Sequence, residues 1–300
     1  MPYRNIFISN QSVLKLKNNQ LVVNNGEEFT FPVEDIRSIV IDNPLTTLSA
    51  RLISYLAENG VCLIVCDQKH TPNCQFVPVG SYCRVSKRIN LQIEQSKPKL
   101  KRIWQQIIIK KIENQAECLK LFEIEENEKL LTLSKAVQSG DSNNREGYAA
   151  SVYFKALFGK DFTRDKESNI NAALNYGYAV IRSFIAKSIV AYGFEPSIGV
   201  HHKNQLNAFN LADDLIEPFR PVVDLFVAKT FFTDKDFCFD TYKKAELVRL
   251  LNSAVFVEKD RCSLATAVES VVQSLVLSYE NDDIALKLPS LIDTSYFDYD

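Results

Sequence analysis

Near residue 84 the hydrophobic pattern of this chain changes period, and that change limits the folds open to it. Before it, short runs such as "YRNIFIS", "VLKLKN", "QLVVN", "EFTFPV" and "SIVID" are β-branched or aromatic and partly alternating, as half-buried strands require. Asn18-Asn19 and Asn24-Asn25-Gly26 punctuate them as hairpin signals. One helix interrupts the series. In "TTLSARLISYLAENG", Leu48, Leu52, Ile53 and Leu56 recur at helical spacing, and Gly60 supplies the stop. The run "VCLIVCD" then reads as a buried strand. Beyond residue 84 the period is helical. "KPKLKRIWQQIIIKKIENQAECLKLF" predicts one long helix or two, and "NREGYAASVYFKALFG", "ESNINAALNYGYAVIRSFIAKSIVAYG", "YKKAELVRLLNSAVF" and "SLATAVESVVQSLVLSYE" predict more. The expectation is a two-domain α+β protein: a β-rich domain with one helix over residues 1–83, a linker or start of the helical region over 84–97, and an all-α domain over 98–300.

Composition narrows the function classes. With 46 % hydrophobic residues the chain can bury a sizeable core, and a net charge of −2 excludes a uniformly basic nucleic-acid binder. A nucleic-acid surface must then come from local segregation of charge. Such a segment exists: Arg84, Lys87, Arg88, Lys97, Lys99, Lys101, Arg102, Lys110 and Lys111 face the single acid Glu94. It reads either as a solvated helix face or as a phosphate-tracking surface. The seven cysteines form no CxxC pair, and Cys62 and Cys66, evenly spaced on a strand, read as buried thiols in a reducing compartment. No run of about 18 apolar residues is present to span a bilayer, and the start "MPYRNIFISNQ" has no signal-peptide stretch. A cytoplasmic protein is expected.

Chemistry concentrates in "PSIGVHHKNQLNAFNLADDLIEPFRP". Two of the three histidines, His201 and His202, stand side by side, and Asp213, Asp214 and Glu217 follow. Glu217 lies three and four residues after the two aspartates, so the acids share part of one helix face and repel one another. Partial burial beside Leu211, Leu215, Ile216 and Phe219 requires a cation or protons to neutralise them. If the histidine segment is extended, its two rings point to opposite sides and only one meets the acids. From the residues alone, a metal site and an ordinary polar cluster both stay open. If a metal binds, carboxylates with one imidazole and no thiolate favour Mg²⁺ or Mn²⁺, although zinc with His and Glu remains an option. Glu146, with Asn143 or Asn144 as cap, reads locally as a helix-dipole acid. A glycine-rich phosphate loop, GxSxG and a Cys–His pair are absent, and the tyrosines of "NYGY" read as core rather than as a nucleophile.

At these residues the chain resembles the CRISPR-associated integrase family, the larger, catalytic subunit of the complex that inserts new spacers. The resemblance runs through "LKLKNNQLVV", "FPVEDIRSIVID", "NREGYAASVYFKALFG", "INAALNYGYAVIRSFIAKSIVAYGFEPSIGVHH" and "NAFNLADDLIEPFRPVVD", and the form of the last segments resembles the type II branch. It implies a metal site of Glu146 in the "REG" element, Glu217 in "DLIE", and the histidine fifteen positions before that acid, His202 rather than His201. Asp214 matches a secondary acid and Asp213 has no match. It implies a transesterification in which the 3′-hydroxyl of a short DNA fragment attacks the CRISPR repeat, with Mg²⁺ or Mn²⁺ as cofactor. It also implies a homodimer through the β-rich domain, two such dimers flanking a dimer of a small ferredoxin-like partner, double-stranded DNA as substrate, and further type II adaptation proteins as contacts. The basic run from Arg84, with Arg145, Lys155, Arg164 and Arg182, supplies candidate DNA contacts from charge and location. A DNA-binding scaffold with a vestigial site, and a hydrolase of small phosphate esters, are the competing readings.

Overall fold

Asn18 and Asn19 both take positive φ, 51° and 60°, the turn that matches the twist of paired strands. In the computed structural model, which describes residues 2–76, 84–232 and 237–296, that turn joins β2 (Val13–Lys17) to β3 (Gln20–Asn24). Gly26, at φ 111°, lies in the connection to β4 (Glu28–Pro32). With β6 (Thr47–Leu48) these form a sheet in the order β4–β3–β2–β6. A second sheet, β1–β5–β7–β8, contains β1 (Arg4–Ile8), β5 (Ile36–Ile41), β7 (Cys62–Cys66) and β8 (Pro72–Phe76). Its first three strands are parallel. The helix α1 (Ala50–Glu58) begins at Ser49, whose side chain accepts from the Leu52 amide, and Gly60 follows it at φ 68°.

The alternation of β5 and β7 sends side chains to two covered faces. Ile39, Ile41 and Leu63 join Leu14, Leu21, Leu52 and Leu56 in one core, and Val40, Cys62, Ile64 and Cys66 join the helices in another. The thiols of Cys62 and Cys66 are buried, and burial first of all pushes each up to about 12. Cys83, the expected end of the first domain, lies outside the described residues.

The helical part is α2 (Val85–Ile93), α3 (Lys97–Leu121), α4 (Glu126–Lys135), α5 (Arg145–Phe158), α6 (Asn169–Ala191), α7 (Asn210–Leu215), α8 (Arg220–Thr230), α9 (Thr241–Arg249) and α10 (Leu264–Glu280). The segment "KPKLKRIWQQIIIKKIENQAECLKLF" is thus one helix, α3, running against α4, α5, α8 and the short 3₁₀ turn Glu217–Phe219. The all-α expectation is corrected at one place. β9 (Ala254–Val257), β10 (Asp260–Ser263) and β11 (Pro289–Ser290) make a small antiparallel sheet, with Glu258 at φ 57° in the β9–β10 turn. The segment "NSAVF", read as the end of a helix, instead crosses into β9. Among the described residues no helix is long and apolar enough to cross a membrane.

Candidate active site

The three acids of "LADDLIE" have three different partners. Asp213 accepts from Arg182 Nε at 2.6 Å and from Asn207 Nδ2 at 2.6 Å, tying α7 to α6. Asp214, fully buried, faces the histidine loop: its Oδ2 accepts from the amides of Val200 (2.6 Å) and His201 (3.0 Å), and its Oδ1 from the His202 amide (3.1 Å) and Nδ1 (2.7 Å). Glu217 turns the other way, to Lys111 and Arg220.

Asp214 was expected as a secondary metal ligand. In the structure it forms the floor of the loop, both of its oxygens accepting hydrogen bonds. An imidazole held through Nδ1 keeps its Nε2 open, the arrangement that orients a metal-binding or proton-moving histidine. The hydrogen bond that Asp214 accepts raises the His202 pKa above its ordinary value, against partial burial, with the charges of Asp214, Glu217 and Asp213 adding to the rise. The loop closes this tightly because residue 199 is glycine: a Cβ there would stand 2.4 Å from the His202 carbonyl oxygen and 2.8 Å from Asp214 Oδ2. The two histidine rings do not point to opposite sides as an extended segment would have them. His201 stacks flat on Trp104 of α3, centroids 4.3 Å apart, and His202 meets the same indole edge-on at 5.7 Å.

Glu146 stands in the first turn of α5. Neither Asn143 nor Asn144 caps that helix. Asp141 does, accepting from the Arg145 amide at 2.8 Å and the Glu146 amide at 3.1 Å. The cap fixes Glu146 opposite α3, where Lys111 Nζ lies 2.6 Å from its Oε1 and 2.5 Å from Glu217 Oε2. Arg220 Nε donates to the other Glu217 oxygen at 2.9 Å. Burial drives the Glu217 carboxyl up, but Lys111 and Arg220 outweigh it and hold the carboxyl at about 2. Burial likewise lowers Lys111, and Glu217 and Glu146 more than offset it, so the ammonium stays charged with its pKa raised.

The structure therefore brings Glu146 and Glu217 onto one cation and sets His202 near enough to feel the charge of Glu217. Among the described residues, no three His, Cys, Asp or Glu side chains are drawn together as a metal cage. Two observations nevertheless fit a hard divalent ion. Glu217 Oε2 is buried without an aligned hydrogen bond, meeting Lys111 as a charge. A cation already stands between the two carboxylates, and the oxygen-plus-imidazole donor set suits Mg²⁺ or Mn²⁺.

The expected DNA contacts divide. Lys111 points inward. Arg88 pairs with Glu280, Lys110 with Glu113, and Lys99 donates to the Asn281 carbonyl. Arg164 is held by Asn171 and Asn175, and Arg182 by Asp213. The Nε of Arg145 is buried without a partner. Arg84, Lys87, Lys97, Lys101, Arg102 and Lys155 are exposed. Lys97 and Lys101 line a cleft with Trp104, His201 and Lys203 beside the histidine loop. Sequence reasoning missed Trp104, Asp141, Gly199 and Arg220, and read Lys111 only as part of the basic run. Only Gly199 carried a local signal, as a glycine immediately before the histidine segment.

Comparison with known proteins follows this geometry. The family model described as CRISPR associated protein Cas1 matches residues 6–253. The chain is 38 % identical to the CRISPR-associated endonuclease Cas1 of Neisseria meningitidis serogroup C (strain 8013), the match covering 100 % of both chains. Among solved structures, a casposase bound to integration product superposes with a TM-score of 0.76 at 21 % identity, over 96 % of this chain and 93 % of that one. A Cas6-RT-Cas1–Cas2 complex gives 0.72 at 17 % identity, over 95 % of this chain and 36 % of that one. At those identities the two structural likenesses bear on the fold alone.

Proposed function

The chain belongs to the Cas1 family of CRISPR-associated proteins, and from that premise we propose that it is a metal-dependent DNA integrase and endonuclease of CRISPR adaptation. The observation that carries the reading is the convergence of Glu146 and Glu217, from separate elements, on one buried cation; His202, held through Nδ1 by Asp214, leaves its outer nitrogen open. The endonuclease named in the full-length relative supports it. The substrates are double-stranded: a short fragment with free 3′-hydroxyls and the CRISPR repeat.

In the transesterification, the 3′-oxygen of the fragment forms a bond to a repeat phosphorus as that phosphorus releases its leaving oxygen. The attacking hydroxyl loses a proton and the leaving oxygen gains one. No side chain serves as nucleophile. Glu146, His202 and Glu217 would hold Mg²⁺ or Mn²⁺, which when bound polarises the phosphate and stabilises charge on the entering and leaving oxygens. His202, fixed by Asp214, is the group positioned to move the proton through Nε2. Arg220, on Glu217, adds positive charge behind the site, and Lys97, Lys101 and Lys203 offer backbone contacts at its edge.

The full-length match to the Neisseria relative supports placing the chain in the same branch, which we take to be type II. By the same reading residues 1–83 form the dimerisation domain, residues 98–300 the catalytic one, and two dimers in the cytoplasm flank a small ferredoxin-like partner dimer. One observation favours a second reading, a DNA-binding scaffold with a vestigial site: Lys111 already neutralises the carboxylate pair. The test offers a 3′-hydroxyl fragment and a repeat-bearing plasmid with Mn²⁺ or Mg²⁺, with and without the partner. Joined product is expected from wild type and lost in Glu146→Ala, His202→Ala and Glu217→Ala with folding intact. Joining in EDTA would sink the metal claim, and DNA binding without any joining would favour the scaffold.

A further inference from the structure

Lys111 is the one basic residue of the 84–111 run that α3 drives into the interior between two acids. It is 7 % exposed, and its ammonium touches both carboxylates expected to hold the metal. Its backbone position is fixed. One turn further along α3, Asn114 Nδ2 donates to the Pro218 carbonyl at 2.7 Å and the Pro289 carbonyl at 2.9 Å, so α3 is fastened to the turn that begins with Glu217. The side chain beyond Cβ is a flexible four-carbon stem with a point charge at its end. Glu217 is closed off at 6 % side-chain exposure, whereas Glu146 is 29 % exposed. The open side of the ammonium therefore lies toward Glu146.

We infer that Lys111 is a resident cation of the site, which neutralises Glu146 and Glu217 while no divalent ion is bound and must swing out past Glu146 for one to enter. This rests on the proposed metal site and adds a regulation to it. A divalent ion and an ammonium at a few ångströms repel strongly where little water screens them. They compete for the same two carboxylates, so Lys111 weakens metal binding in the absence of DNA. Once displaced, the ammonium lies on the side from which a DNA phosphate approaches, and a phosphate compensates it for the lost carboxylates. Metal and DNA therefore bind with positive coupling, and by linkage each raises the affinity of the other.

The test is Mn²⁺ titration by calorimetry on wild type, Lys111→Met and Lys111→Arg, with and without a 3′-hydroxyl DNA fragment. Without DNA, Lys111→Met is expected to bind Mn²⁺ roughly tenfold more tightly than wild type, or more, and Lys111→Arg to behave like wild type. Adding DNA is expected to tighten Mn²⁺ binding to wild type by a larger factor than to Lys111→Met. Equal or weaker binding by Lys111→Met without DNA, or a gain with DNA undiminished by the substitution, overturns the proposal. If Lys111→Met does not fold, wild type decides: reductive methylation mapped by mass spectrometry is expected to label Lys111 faster in saturating Mn²⁺ without DNA than in EDTA, and unchanged labelling overturns it. Wild type that binds no Mn²⁺ overturns the metal reading as well. Wild type that binds Mn²⁺ indifferently to residue 111 overturns the role of Lys111 alone.

Discussion

Gly199 sets how closely the histidine loop sits on Asp214. A methyl at that position collides with the His202 carbonyl and an Asp214 oxygen, so the loop must lift and carry the imidazole with it. Because a displacement of about 1 Å at a reacting group costs on the order of 100-fold, Gly199→Ala is expected to lower strand joining by about that factor, with the circular-dichroism spectrum unchanged. Joining at the wild-type rate would show that the loop has slack. Residues of this kind explain what the sequence disclosed about the site. The acids and histidines were visible because such a cluster is electrostatically costly. Glu146 was undervalued because an acid in the first turn of a helix is satisfied locally. The partners that Asp213 finds in Arg182, Asp214 in the histidine loop and Glu217 in Lys111 were illegible in the local pattern, because other segments of the chain bring them.

At the scale of elements, α6 and α8 approach closely at Gly177, where a Cβ would stand 2.6 Å from Val223 Cγ1. The contact brings Tyr178 of α6 to Asp224 of α8, which accepts its hydroxyl hydrogen. Arg220 lies 4.6 Å over the Tyr178 ring and reaches on to Glu217. The pair thus supports the acid from behind. Tyr176 and Tyr178 are buried, as core aromatics at helical spacing should be. Burial pushes the Asp224 carboxyl from 3.8 up to about 6, against the pull of Tyr178, Arg164 and Arg220. A raised acid contributes stability that is complete below its unfolded pKa and is lost as pH climbs through the folded value. Wild type should therefore lose stability from this group between pH 3.8 and about 6. Asp224→Asn should remove that slope and gain up to about 3 kcal/mol on wild type between acid and neutral pH, read by urea denaturation across the range. Parallel curves for the two proteins would refute it. Elements were the most legible scale where they were long: α3, α6 and α10 have enough turns to show their period. The strands β9 to β11, of four residues or fewer, do not, and an apolar run as short as "AVFV" is compatible with either period.

In the whole molecule, the sheet of β1, β5, β7 and β8 is covered on both faces, and the second cover is the helical part. The run "VCLIVCD" disclosed a strand buried on both sides but not what buries it, since the partner residues lie more than a hundred positions away on α6. Other ties cross the same junction. Asn5 Nδ2 donates to Asn252 at 3.1 Å, and the buried Asp42 at the end of β5 meets His70 at 3.0 Å and Lys244 of α9 at 3.7 Å. The strand-rich and helical parts each keep a core of their own and share one face of this sheet. Scanning calorimetry is expected to record a single endotherm, and two resolved endotherms would contradict the shared core. The same shared face decides what a protease can achieve. If the chain is cut between residues 76 and 84, the two pieces are expected to stay together as a noncovalent pair, clasped by Val40, Cys62, Ile64 and Cys66.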